Sequence, residues 1–167
     1  MATIRVIITG GTFDKEYDEL AGALTFRDSH LPEIFRFVRC TLPLQLEINQ
    51  LKDSLEMSAA DRGSILDSCM ASDEDHIIII HGTDTMTETA ALLGEADLHK
   101  RIVLTGAMVP YSIRNSDALF NLGTAVAAVQ LVDTGVYVVM NGRIFSWDAV
   151  EKDISRGLFM DPNSADR

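Results

Sequence analysis

Apolar runs that stop abruptly at small polar residues recur along this chain of 167 residues, and no other feature restricts its fold so strongly. "IRVII" leads into "TGGT", "HIIII" into "HGTDT", "RIVL" into "TGAM" and "VYVVM" into "NGR". The run Ile77–Ile80 is apolar on both faces, the pattern of a parallel strand covered on two sides. "LQLEI" alternates instead, with Leu44, Leu46 and Ile48 on one side. Helix-like segments fill the intervals. Ser58 with Asp61 resembles a capping box opening "SAADRGSILDSCM", and Thr85 with Glu88 opens "TMTETAALLGEADL" in the same way. A third segment, "SDALFNLGTAVAAVQLV", starts at Ser116 and aligns Leu119, Leu122, Val126 and Val129 on an approximate apolar face. Strand alternating with helix predicts right-handed βαβ crossovers. The expected class is α/β: a doubly wound, mostly parallel sheet with helices on both faces, a three-layer α/β/α arrangement of Rossmann-like or flavodoxin-like type.

The length suits one domain with a sizeable core, expected over residues 1–160, followed by the polar tail 161–167, "DPNSADR". Hydrophobic residues make up 47% and charged residues 23%, as in an ordinary globular chain. Fourteen Lys and Arg stand against 25 Asp and Glu, a net charge of -11 that repels phosphate backbones and anionic lipid. Neither nucleic acid nor a membrane is an expected partner. "MATIRVIITGG" is too short for a signal-peptide core, and no stretch approaches the roughly 20 apolar residues of a membrane span. A cytoplasmic protein is expected. Cys40 and Cys69 lack any metal or disulfide spacing and read as reduced core thiols.

Ligands of such sheets bind beyond the carboxyl ends of the strands. Residues 9–12, 81–85, 105–108 and 141–143 fall at that edge, each group with a glycine that lets backbone N–H groups approach a ligand. Any one of these loops could be turn and cap chemistry alone. Four together, rich in threonine, point to a site. "TGGT" lacks the dinucleotide fingerprint and the P-loop lysine, and no serine-hydrolase elbow occurs. Among the histidines only His81 lies near this edge, as a site residue or as a turn histidine bonded to backbone. Threonine chemistry remains, in which a hydroxyl needs a neighbouring base before it attacks a carbonyl. Lysine can serve when desolvated or set among other charges. Asp84 adjoins Thr83, and Lys152, within "NGRIFSWDAVEKDI", reaches the same edge.

The segments "TGGTFDK", "DSLEM", "HGTDTMTETA" and "LTGAMVPYSIRNSDALFNL", spread over nearly the whole chain, resemble motifs of the bacterial-type L-asparaginase family. The resemblance implies an amidohydrolase that converts L-asparagine to L-aspartate and ammonia without metal or organic cofactor. Thr12 is then the nucleophile that forms an acyl-enzyme, and Thr83 assists through a relay with Lys152 and Asp84. Tyr17 takes the part of the loop tyrosine that hydrogen-bonds the nucleophile. Ser54 and backbone amides would hold the substrate's α-carboxylate, Asp84 its α-ammonium group, and Gly11, Gly82 and Ala107 complete the binding set. Several features depart from the family. "VEKD" replaces its usual Thr-Lys pattern at Lys152, Tyr17 follows Thr12 by only five positions, and Leu55 replaces a polar residue after the serine. The family's C-terminal domain is expected to be absent, and with it a carboxylate that pairs with the tyrosine. Glu16, Asp18 or a residue of another subunit could replace it. Apolar surface left open predicts a homodimer or homotetramer. The alternative function is a catalytically degenerate domain that binds an amino acid or amide as a sensor or regulatory subunit.

Overall fold

A strand as uniformly apolar as Ile77–Ile80 needs neighbours at both edges and cover on both faces. The computed structural model, which describes residues 2–164, provides all of these. In chain order the elements are β1 (Ile4–Gly10), the hairpin β2 (Glu16–Asp18) and β3 (Ala23–Thr25), α1 (Leu31–Phe37), β4 (Leu44–Lys52), α2 (Ala59–Ala71), β5 (His76–Ile80), α3 (Met86–Glu95), β6 (Arg101–Thr105), α4 (Ala118–Leu131), β7 (Gly135–Met140), β8 (Arg143–Ser146), and a second hairpin of β9 (Glu151–Asp153) and β10 (Leu158–Met160). Six strands form the main sheet in the order β4-β1-β5-β6-β7-β8. The first five are parallel, and β8 runs antiparallel to β7.

Two core layers follow from the alternation of side chains along each strand. Val6, Ile8, Ile78, Ile80 and Val103 pack on one face with Ile34 and Phe35 of α1 and Leu122 and Ala125 of α4. Ile7, Ile77, Ile79 and Leu104 pack on the other with Ile65 of α2 and Ala90 and Leu93 of α3. This is the single-domain, doubly wound sheet that the pattern predicted. From β1 the chain moves outward to β4, returns across β1 to lay down β5, and then builds in the opposite direction. The order therefore reverses between β1 and β5, and the crevice past their carboxyl ends is the usual ligand position.

Several local expectations change. Leu46 and Ile48 are 37% and 52% exposed, although Leu44 packs on the core, because β4 is an edge strand and the seven-residue α1 covers only part of its face. "NGR" forms no open loop: Asn141 and Gly142 take φ of 56° and 74°, and Met140 pairs with Arg143. These two residues make the tight turn of a hairpin. The capping box of Ser58 and Asp61 forms as expected. Thr85 precedes α3 without capping it, since its hydroxyl donates to Ser54 O at 2.9 Å. Asp117, not Ser116, stands at the N-cap of α4, and Ser116 Oγ accepts from Ala118 N. Both cysteines are free, and burial pushes the Cys69 thiol up to about 12. Among the described residues no helix is long and apolar enough to cross a membrane. The expected tail begins with a turn on Asp161, and its last three positions, 165–167, lie outside the described residues.

Candidate active site at the ends of β1 and β5

At the end of β1, Gly11 adopts φ 71° and ψ -176°, a region open essentially to glycine. A Cβ there would stand 2.4 Å from Gly82 N, so the backbone leaving β1 lies directly on the backbone leaving β5. Thr12 opens the one-turn 3-10 helix that follows, Thr12–Asp14. Gly82 is pressed from its other side, where a Cβ would meet the Ser54 Cβ and Oγ at 2.6 Å. Ser54 begins a second 3-10 turn at the end of β4, capped by Asp53, whose carboxylate accepts from Leu55 N at 3.0 Å. From β6, a Cβ on Gly106 would come within 2.3 Å of His81 O, and Ala107 behind it is buried. Three chain segments thus converge on residues 81 and 82.

His81 fixes that junction from inside. Its ring is fully buried, with Nδ1 2.8 Å from Gly82 O and Nε2 2.8 Å from Thr89 Oγ1 on α3. A carbonyl only accepts, so Nδ1 carries the proton and Nε2 accepts from the threonine hydroxyl. Burial holds the imidazole neutral, pushing its pKa down to about 4. Of the two possibilities raised for this residue the structure shows the bond to backbone, made by a fully buried ring.

Beyond Gly82 the polar side chains meet. Lys152 Nζ donates to Thr83 Oγ1 at 2.8 Å and lies 2.6 Å from Asp84 Oδ1. Thr83 is buried, and the Lys152 side chain is only 9% exposed against 44% for Asp84. The lysine reaches this position on β9, where it pairs with Phe159 of β10. Phe159 is anchored in the core, and its N–H donates to Asn141 Oδ1 at 2.9 Å. Thr83 Oγ1 also lies 3.4 Å from Met108 Sδ. Asp117 accepts from Met108 N and Val109 N, and Asn121 from α4 donates to Gly106 O, fixing the β6 loop from below.

Tyr17 stands apart from this cluster, 63% exposed on β2. Glu16 and Asp18 engage Arg27, at 3.0 and 3.8 Å, and Asp18 also accepts from Leu20 N and Ala21 N. Flanking Tyr17 on a strand, they turn to the opposite face, so neither Glu16 nor Asp18 is placed as the carboxylate partner of Tyr17. Leu55, in the position after the substrate-type serine, is exposed. Among the described residues no group of three His, Cys, Asp or Glu side chains is gathered as a metal site.

Sequence reasoning passed over Asp14, Lys15, Thr89, Met108 and Asp117 as supports of the site. Asp117 carried a signal, an acidic residue just before an apolar helix, but that signal reads as a cap, whereas the side chain is used on the β6 loop. The others lay inside motifs already singled out, but nothing in those motifs told which partner each would meet.

The N-terminal domain model of the asparaginases, "Asparaginase, N-terminal", matches residues 3–160. L-asparaginase 1 of Escherichia coli is 30% identical over 173 aligned residues, covering 96% of this chain and 51% of that protein. A glutaminase-asparaginase of Pseudomonas fluorescens is 28% identical, covering 93% of this chain and 46% of its own length. The solved structure of L-asparaginase I from Vibrio cholerae superposes with a TM-score of 0.83 at 27% identity, over 98% of this chain and 52% of that one. The chain spans about half the length of these relatives.

Proposed function

Because the chain belongs to the asparaginase family, we propose that it is an amidohydrolase that cleaves the side-chain amide of L-asparagine to L-aspartate and ammonia. The observation that carries this reading is the Thr83–Lys152–Asp84 contact, built from residues 68 and 69 positions apart at the switch point of the sheet. A lysine held between a hydroxyl and a carboxylate is a proton-transfer group with its geometry already set. Thr12 Oγ attacks the amide carbon, and its proton passes to the relay. The C–N bond breaks, the relay returns a proton to nitrogen, and ammonia leaves. Water then attacks the Thr12 ester along the same path and releases the acid. Ser54, with the backbone at Gly11, Gly82 and Ala107, holds the α-carboxylate end, Asp84 receives the α-ammonium group, and Tyr17 covers the nucleophile.

Glutamine is the competitor, since one methylene is worth only about 1–3 kcal/mol of discrimination, and one relative is itself a glutaminase-asparaginase. Ammonia release from L-asparagine and L-glutamine by the wild type and by Thr12→Ala tests the reading. We expect turnover of asparagine to fall about a thousandfold or more in the variant, with aspartate still raising its thermal midpoint. A wild type silent on both amides but stabilised by aspartate would make the chain a binding module instead.

A further inference from the structure

We infer that Asp14 and Lys15, neither of which the proposed reaction uses, are positioning residues that root the Tyr17 hairpin at both ends. The catalytic consequence rests on the amidohydrolase reading; the structural one rests on contacts alone. The hairpin leaves the sheet directly after the Thr12 turn and pairs only from Glu16–Thr25 to Asp18–Ala23. A two-stranded ribbon of that length has little stability by itself. Its hold on the protein must come from its base.

Asp14 faces inward and is fully buried. Its carboxylate accepts from Ser29 Oγ at 3.0 Å and from His30 N at 2.9 Å, which ties the start of the excursion to its end. A buried carboxylate without donors would be costly, and these two are the partners it has found across the loop. Lys15 faces the other way. Its Nζ lies 2.5 Å from Asp53 Oδ2 and 5.6 Å from the centre of the Phe26 ring on the returning limb. Its carbonyl accepts from Ser112 Oγ at 2.9 Å. Asp53 is the residue that caps the Ser54 turn, so one ammonium group joins the hairpin base to the segment proposed to hold the substrate carboxylate. The pair is half-buried, with 19% of the Lys15 side chain and 29% of that of Asp53 exposed. Tyr17 is two positions beyond Lys15 and largely exposed, so its position is set from that base.

The test uses Lys15→Met, which keeps the alkyl stem and removes the charge, together with Asp53→Asn, Ser29→Ala and the restoring variant Lys15→Arg. Amide exchange over residues 16–25 is expected to quicken about fivefold to tenfold in Lys15→Met and Asp53→Asn, and about threefold in Ser29→Ala. Protection of Ile77–Ile80 should stay at the wild-type level, and Lys15→Arg should restore the hairpin. The double variant Lys15→Met/Asp53→Asn should exchange no faster than either single one, as for two halves of one contact. With asparagine, KM is expected to rise about fivefold in Lys15→Met with a smaller fall in kcat. Unchanged exchange in the hairpin for Lys15→Met and Asp53→Asn overturns the role of Lys15, and for Ser29→Ala the role of Asp14. Equal acceleration at Ile77–Ile80 overturns it too, since the effect would then be global unfolding. If the wild type cleaves no amide, the functional reading fails while exchange still decides the clamp.

Discussion

The loop that follows β5 and the hairpin that follows β1 are proposed to serve the same chemical step, yet they are held by opposite means. Residues 81–83 are buried and bound by segments from β1, β4, β6, α3 and β9. The hairpin is exposed to half-buried along its length and attached through its base, with Arg27, just past β3, pairing Glu16 and Asp18 of β2. The difference separates two demands on a catalyst. Groups that exchange protons need positions fixed to fractions of an ångström, and only a packed interior fixes them so well. A cover that admits substrate must be able to leave, so it is drawn from structure with little burial. Damage to the loop should therefore reach turnover and stability, and damage to the hairpin should reach catalysis while leaving stability unchanged.

The strongest way to break that contrast is at Lys152. Lys152→Met removes the cation that contacts Thr83 and Asp84 while the stem still fills its place between them. The expected outcome is a fall in kcat for asparagine of about a hundredfold to a thousandfold. Binding of aspartate, followed by its effect on the thermal midpoint, should change far less. A loss confined to KM would place Lys152 with the substrate-holding groups and remove the distinction.

His81 sharpens the comparison through acid. Its pKa is about 4 in the fold against 6.5 as a free group, so the unfolded chain binds the extra proton first. Stability contributed by the neutral ring is therefore complete above about pH 6.5 and is lost as the pH falls, by about 3 kcal/mol at pH 4. His81→Gln keeps a donor for Gly82 O and an acceptor for Thr89 but cannot titrate. Urea midpoints between pH 7 and pH 4 should fall more steeply for the wild type than for this variant. Parallel slopes would mean that His81 is already protonated or already reached by water in the native state.

Tyr17→Phe probes the hairpin at the same level of detail. Loss of one hydroxyl from an exposed side chain leaves the core untouched, so the thermal midpoint should hold. The expected fall in kcat/KM is about tenfold, the effect of one hydrogen bond made to the reacting group. A change below twofold would separate Tyr17 from the nucleophile altogether.

These two regions also differed in how legible they were. The β5 run was readable because four consecutive β-branched residues need cover on both faces, and the motif after it marked Thr83 and Asp84. Lys152 lay in the segment after β7 and was matched to the family's lysine only through the resemblance, and the structure sets it against both. The hairpins could not be read in that way, since strands of three residues carry no period. Thr85 shows why local rules fail at such a site: its sequence signals a capping box, but Ser54 O, 31 residues away, takes its hydroxyl. Asn141-Gly142, by contrast, is a strong hairpin signal, and the tight turn into β8 was available from those two residues. Asp14 and Lys15 look like any charged pair in a polar loop. Only the folded chain puts one inside and the other against Asp53.

The smallest effect is expected at Arg27, and it tests whether the hairpin depends on its base or on its own strands. The guanidinium is 63% exposed and bridges Glu16 at 3.0 Å and Asp18 at 3.8 Å. Exposed ion pairs contribute little because water and salt screen them and two long side chains must be ordered to form them. Arg27→Gln should therefore leave the thermal midpoint unchanged and raise KM for asparagine by no more than about twofold. That small rise should vanish at high salt, where the wild-type pairs are screened as well. An effect as large as that of Lys15→Met would shift the hold from the base to the cross-strand pairs. The hairpin would then be a stable ribbon in its own right, and the loop after β5 and the hairpin after β1 would be rigid for the same reason.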